Sequence, residues 1–245
     1  MATISITAGD ATLLATVTGS GPTVLLLHAG GERRSVWAPV AERLSMRTVA
    51  YDLRGHGESS GRATSLAQIA EDVAEMVVRE PPPIVVVGTS LGGLAALAAL
   101  AEPATAQRVA GLVLVDVVPD PDPDRARAWL AEQGLGRRRA ELVDDILGSG
   151  YGLAAVAAAL EVPMMLVRAG RSALADAEVD RFRSANHRVT VVEVPAAGHL
   201  VARDAPAELA LIVEGCAAAW LRPPRSASAP AATSTSGRRE AGEMP

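Results

Sequence analysis

Two rhythms of apolar residues alternate along this chain. Short runs such as Val24-Leu25-Leu26-Leu27, Thr48-Val49-Ala50-Tyr51, Ile84-Val85-Val86-Val87, Leu112-Val113-Leu114-Val115, 163–167 and 189–194 are apolar almost throughout. Unbroken β-branched and aliphatic runs of this length predict buried strands. Between them, apolar positions recur every three to four residues. The clearest case is 66, 69, 70, 73, 76 and 77, which predicts a helix over Leu66 to Val78. Helices are also predicted over Val36 to Leu44, Leu94 to Leu100 (stopped by Pro103), Asp176 to Ser184 and Ala205 to Leu221. Thr3 to Val17 reads as two strands about a Gly9-Asp10 turn. Strands alternating with helices imply an α/β fold, a mostly parallel central sheet with helices on both faces.

The rhythm breaks twice. Residues 119–161 open with alternating Pro and Asp and continue as three helical runs, near Arg125–Glu132, near Arg138–Leu147 and in an alanine-rich stretch. They read as a short helical lid inserted over the carboxyl edge of the sheet. From Arg222 onward, Pro, Ser, Ala, Thr and Gly dominate without periodicity, and 222–245 reads as a disordered tail. One domain over 1–221 remains.

Composition narrows the picture. Of the 245 residues, 49% are hydrophobic but only 2% aromatic, so Ala, Val and Leu must fill the core. A formal net charge of -5 without a basic stripe argues against a nucleic-acid partner. No segment approaches the roughly 18 continuous apolar residues of a membrane span. The N-terminus carries no basic, apolar leader pattern. A cytoplasmic protein acting on a small molecule, without a membrane partner, is expected. The single cysteine, Cys216, lies in the last helical pattern and reads as a small core residue. Oligomeric state is not legible.

Candidate chemistry gathers where strands end, as it does in open parallel sheets. Gly88-Thr89-Ser90-Leu91-Gly92 joins a predicted strand to a predicted helix. Glycines at 88 and 92 permit a sharp turn, and Ser90 stands at its apex as a nucleophile elbow. A serine hydroxyl needs a base to take its proton. Of the four histidines, His199 follows the last strand in Ala197-Gly198-His199-Leu200 and fits the order serine, acid, histidine. His28 and His56 read as loop-orienting side chains. Two carboxylates compete for the acid. Asp116 directly follows a strand and is favoured. Asp176 lies past the 163–167 strand at a helix start, where carboxylates serve the helix dipole. Ser172 is a candidate hydrogen-bond helper. Oxyanion donors are expected from the N–H of Leu91 and from Gly30 or Gly31 in His28-Ala29-Gly30-Gly31, with Gly30 favoured. Gly31 and Trp37 are candidate substrate contacts. No His/Cys/Asp cluster has metal-ligand spacing, and neither a metal nor an organic cofactor is expected.

Together, His28-Ala29-Gly30-Gly31 with Trp37, Tyr51-Asp52-Leu53-Arg54-Gly55-His56-Gly57-Glu58-Ser59, Gly88-Thr89-Ser90-Leu91-Gly92-Gly93 and Ala197-Gly198-His199 resemble the α/β-hydrolase fold superfamily. Within it the chain is most similar to the bacterial esterase and cofactor-free haloperoxidase-like group, over residues 3 to 221. In many members the acid follows the strand equivalent to 163–167. Alanine stands there, at Ala173. Others carry it in a Val-Asp-x-x-Pro pattern like Val115-Asp116-Val117-Val118-Pro119, which supports Asp116. The chain departs from the group in having Ala29 where glycine is usual, in a lid segment that is short and without the expected aromatics, and in its tail.

The leading functional expectation is a serine hydrolase cleaving a carboxylic ester, thioester or lactone through an acyl-enzyme on Ser90. A non-hydrolytic enzyme on the same fold, such as a perhydrolase, lyase or cyclase, is the second reading, since fold does not fix chemistry. A degenerate ligand-binding protein is the third.

Overall fold

The computed structural model describes residues 1–134, 140–148 and 152–221. The strands are β1 (Ala2–Ala8), β2 (Ala11–Thr18), β3 (Thr23–Leu27), β4 (Arg47–Tyr51), β5 (Ile84–Thr89), β6 (Val109–Val115), β7 (Met164–Ala169) and β8 (Val189–Val194). The helices are α1 (Ala38–Ala41), α2 (Leu66–Arg79), α3 (Leu91–Ala99), α4 (Pro103–Ala106), α5 (Pro123–Glu132), α6 (Ala140–Gly148), α7 (Leu153–Ala159), α8 (Asp176–Ala185), α9 (Val201–Asp204) and α10 (Pro206–Trp220). The proposed tail at 222–245 lies outside the described residues.

The eight strands form one sheet in the order β1-β2-β4-β3-β5-β6-β7-β8. Pairing is antiparallel for β1 with β2 and β2 with β4, and parallel from β4 to β8. The chain steps outward from β3 to β4, then crosses back over β3 to place β5 on its other side. That reversal opens a crevice beyond the carboxyl ends of β3 and β5, the usual ligand position in such a sheet.

Burial follows the two-residue period of the strands. In β3, Leu25 and Leu27 enter the layer beneath α2 and α3, while Val24 and Leu26 enter the layer holding α1 and α10. All five residues of β3 and all six of β5 are buried, which explains their uninterrupted apolar character. Ser65 caps α2, its hydroxyl accepting from Gln68 N–H at 3.3 Å. The apolar stripe of α2, Leu66, Ile69, Val73, Met76 and Val77, is buried against the sheet. With so few aromatics, small residues carry close contacts. A Cβ at Gly111 in β6 would lie 2.1 Å from the Trp220 ring that covers it.

Two local expectations change. The helix predicted over 36–44 is a 3₁₀ turn at Arg34–Trp37 followed by the single turn of α1. Arg43 and Leu44 N–H groups bond to the carbonyls three residues back, a tightened turn that ends the helix early. The short α4 and α9 interrupt stretches whose patterns did not announce them.

Cys216 is buried on α10, and burial pushes its thiol up to about 11. In the native protein it is expected to resist Ellman's reagent at pH 8, reacting only on unfolding. The sign of the linkage follows. The folded thiol loses its proton later than the unfolded one, so its contribution to stability is complete below about pH 8.5 and lost as pH rises through about 11. Full native reactivity at pH 8 would place the side chain outside the core.

Candidate active site

Ser90 sits between β5 and α3 with φ 49° and ψ -115°, a left-handed conformation rare outside glycine. The surrounding glycines are sterically required. A Cβ at Gly88 would lie 2.5 Å from Gly93 N, and one at Gly92 would lie 2.6 Å from the Leu27 carbonyl oxygen. Strand, elbow and helix therefore pack at backbone contact. Leu91, the first helical residue, has no carbonyl four residues back within the helix to receive its N–H. Gly30 lies beside it, its Cβ direction meeting the Leu91 side chain at 3.7 Å. The two residues expected to supply oxyanion donors are thus neighbours.

The loop that carries Gly30 and Gly31 is fastened from behind. His28 Nδ1 donates to the Ala29 carbonyl at 2.8 Å, and its Nε2 accepts from Leu53 N–H at 3.0 Å. His56 packs on it with ring centroids 5.0 Å apart. Asp52, fully buried, accepts from Arg34 N–H at 2.6 Å and Glu58 N–H at 2.9 Å, and pairs with the Arg34 guanidinium. A Cβ at Gly57 would lie 2.2 Å from the Asp52 carboxyl, so that glycine is forced. His28 and His56 therefore have the loop-orienting role expected from sequence. The alanine at 29 fits the same turn, its carbonyl receiving both His28 Nδ1–H and Glu32 N–H.

Across the crevice, Asp116 directly follows β6 with φ 52°. Its N–H donates to the Val167 carbonyl at 2.8 Å. Oδ1 accepts from Ala169 N–H at 2.9 Å, and Oδ2 faces His199 Nδ1 at 2.8 Å. The carboxyl is buried, while the imidazole is 14% exposed. With Nδ1 engaged, Nε2 is the nitrogen of His199 left for another partner. The histidine loop is held against the turn after β7. Arg171 N–H donates to the Ala197 carbonyl at 3.0 Å, and Gly198 N–H donates to Asp204 at 2.8 Å.

One cavity of about 600 Å³ is lined by Ser90, Leu91, Gly30, Gly31, Asp116 and His199. Its roof comes from α5 and α6, through Ala126, Trp129, Leu130, Leu142, Val143 and Ile146. These helices are tied to the body by polar links. Buried Glu178 on α8 accepts from Asp122 N–H at 2.6 Å and pairs with Arg125. Asp145 on α6 accepts from Leu66 N–H, the first of α2, at 2.8 Å.

Three sequence-level candidates are not brought to the cavity. Trp37 is fully buried in the layer beneath α10, so it packs the core instead of touching a substrate. Asp176 is an exposed residue at the start of α8, ion-paired with Arg168 at 2.6 Å and distant from the histidine's carboxylate contact. Ser172 folds onto its own turn, its hydroxyl accepting from Leu174 N–H at 2.9 Å. Two further residues line the cavity without a role assigned from sequence. The lid does hold an aromatic, Trp129, whose ring centroid is 4.3 Å from that of His199. Trp129 is the one aromatic residue of α5, which was the available signal. The other is Glu32, half-buried and directly after the double glycine.

This strand order, with Ser90 after β5, the carboxylate after β6 and the histidine after β8, defines an α/β-hydrolase fold. Residues 24–210 match the model of the alpha/beta hydrolase family, and the chain belongs to that family. It is 38% identical over 109 residues to protein phosphatase methylesterase 1 of Bos taurus, covering 40% of this chain and 28% of that one. An esterase of Mycobacterium tuberculosis is 42% identical over 107 residues, 41% of this chain and 35% of that protein. A pimeloyl-[acyl-carrier protein] methyl ester esterase of Xylella fastidiosa is 38% identical over 105 residues, 42% and 39% of the two chains. The match thus spans well under half the length of these curated relatives. Among solved structures, a thioesterase domain from the curacin biosynthetic pathway superposes with a TM-score of 0.71 at 20% identity, covering 87% of this chain and 98% of its own. A thermophilic esterase from Thermogutta terrifontis gives 0.69 at 23%, covering 88% and 97%. At these identities the structural likeness speaks for the fold. No single helix among the described residues is long and apolar enough to cross a membrane.

Proposed function

We propose that this chain is a serine hydrolase of carboxylic esters or thioesters, working through an acyl-enzyme on Ser90. The observation that carries the reading is the 2.8 Å contact of His199 Nδ1 with buried Asp116, in the same cavity as a strained elbow serine. Ser90 Oγ attacks the substrate carbonyl carbon while His199 Nε2 removes its proton. Asp116 fixes the imidazole tautomer and stabilises the imidazolium that forms. Leu91 and Gly30 N–H groups receive the negative charge on the carbonyl oxygen. His199 then delivers its proton to the departing alkoxide or thiolate. Water, deprotonated by the same histidine, releases the acid and restores Ser90. Leu130, Leu142, Val143 and Ile146 give the roof an apolar surface suited to an aliphatic acyl group. The ester-cleaving activity named for the three relatives above supports the same bond type. Every step uses side chains and backbone of this chain, acting on a small-molecule substrate.

The test is intact mass after treatment with a fluorophosphonate. A single adduct on the native protein, absent from Ser90→Ala, is expected. No adduct on a folded native protein would overturn the proposal.

A further inference from the structure

The carboxylates around the cavity are not equivalent. Asp116 is taken by His199 and Ala169 N–H. Asp122 caps α5 through Arg125 N–H. Glu178 holds Asp122 N–H, Ala175 N–H and Arg125. Asp204 receives Gly198 N–H and stands near Arg171 and Arg203. Of these cavity carboxylates, Glu32 alone has neither hydrogen bond nor ion pair among the described residues, although its backbone N–H is fixed to the Ala29 carbonyl at 3.1 Å. It is half-buried, and burial raises its pKa against the opposing pull of Arg203 and His199. Leaving a partly desolvated carboxylate unpaired is costly, so such a group is normally retained for a partner.

Its location says where that partner arrives. Glu32 follows Gly30-Gly31 directly and lines both the main cavity and a shallower depression formed with Arg33, Ser35, Val36, Pro39 and Arg203. The apolar roof of α5 and α6 lines only the main cavity. A substrate lying across the elbow would therefore have an aliphatic portion under the lid and another portion reaching over the glycine loop to Glu32. Nearby Arg203 is largely exposed and associated with Asp204 at 3.5 Å, so it does not occupy the carboxylate.

We propose that Glu32 is a specificity-determining residue that receives a cationic, ammonium-type group of the substrate. The assignment rests on the ester-hydrolase reading above. The test compares a choline ester with the 3,3-dimethylbutyl ester of the same short acid, which has the same shape without the charge. The native protein is expected to favour the choline ester by about 2–5-fold in kcat/KM, the usual worth of an ion pair at a half-buried carboxylate with a quaternary ammonium that has no N–H to donate. Glu32→Gln is expected to bring the ratio close to unity, and Arg203→Gln to preserve or increase it. A native ratio near unity, or one retained in Glu32→Gln, would overturn the proposal. Direct binding of tetramethylammonium, measured by calorimetry on the native protein and on Glu32→Gln, gives a readout independent of turnover. Binding that Glu32→Gln weakens by about twofold or more supports the assignment even if no ester is cleaved. Binding equal in both proteins, or absent from both, rejects it. Failure of the hydrolase reading would instead appear as the missing phosphonate adduct.

Discussion

Alanine at Ser90 is expected to lower kcat for a chromogenic short-chain ester by about 10⁶-fold, with His199→Ala nearly as damaging. The double substitution is expected to cost little more than either single one, because nucleophile and base act as a unit. The geometry explains why so much depends on one hydroxyl. The elbow holds Ser90 at φ 49° between glycines that cannot carry a Cβ, so no neighbouring residue can move into its place. Removing Oγ leaves the cavity and the backbone donors intact, so weak residual turnover is expected from them. Stopped assays at high enzyme concentration, beside circular dichroism to verify folding, would check this. Loss of less than about tenfold would mean that another nucleophile carries the reaction, outside the range that a triad serine gives.

Asp116→Asn is expected to reduce kcat by about 10⁴-fold while Asp176→Asn stays within about twofold. The first figure follows from hydrogen-bond direction. Ala169 N–H must meet an acceptor, so an asparagine at 116 would turn its carbonyl oxygen toward residue 169. Its amide NH₂ would then face His199 Nδ1, which must accept, and the ring proton would move to Nε2. A histidine protonated there cannot take the Ser90 proton. Asparagine tolerates positive φ, so the backbone at φ 52° is preserved and the loss is chemical. Asp176 is 85% exposed and, among the described residues, pairs with Arg168 alone, so its removal touches a surface pair worth little. Steady-state kinetics on both variants decide the matter. Equal activity of Asp116→Asn and the native protein would remove the acid role from Asp116.

What the sequence disclosed and what it withheld divide along physical lines. Local constraints were legible. Gly88, Gly92 and Ser90 declare a turn too tight for side chains, and the apolar runs declare strands buried on both faces. Pairing across the sheet was not legible. Asp116 is favoured by its place after a strand, but the contact that holds its carboxyl, from Ala169 N–H, exists because β6 lies beside β7 with Val115 opposite Val167. Register of this kind is set by long-range contacts that leave no periodic mark. Trp37 and Trp129 show the same limit. Both are lone tryptophans near candidate loops, yet one fills the core under α10 and the other lies tilted against His199. Only the paths of the helices separate them. Glu32 had no signal of its own, since an unpaired carboxylate is visible only once every possible partner has a position.

The scarcity of aromatic residues has an optical consequence. Three tryptophans and two tyrosines account for nearly all the near-ultraviolet absorbance of this chain. Trp37 is sealed in the core and Trp220 lies on Gly111, so neither contacts the cavity roof. Trp129 alone is in ring contact with His199. Its emission is therefore a built-in spectroscopic gauge of the imidazole beside it, sensitive to ligand arrival and to the charge on that ring, without any label being attached.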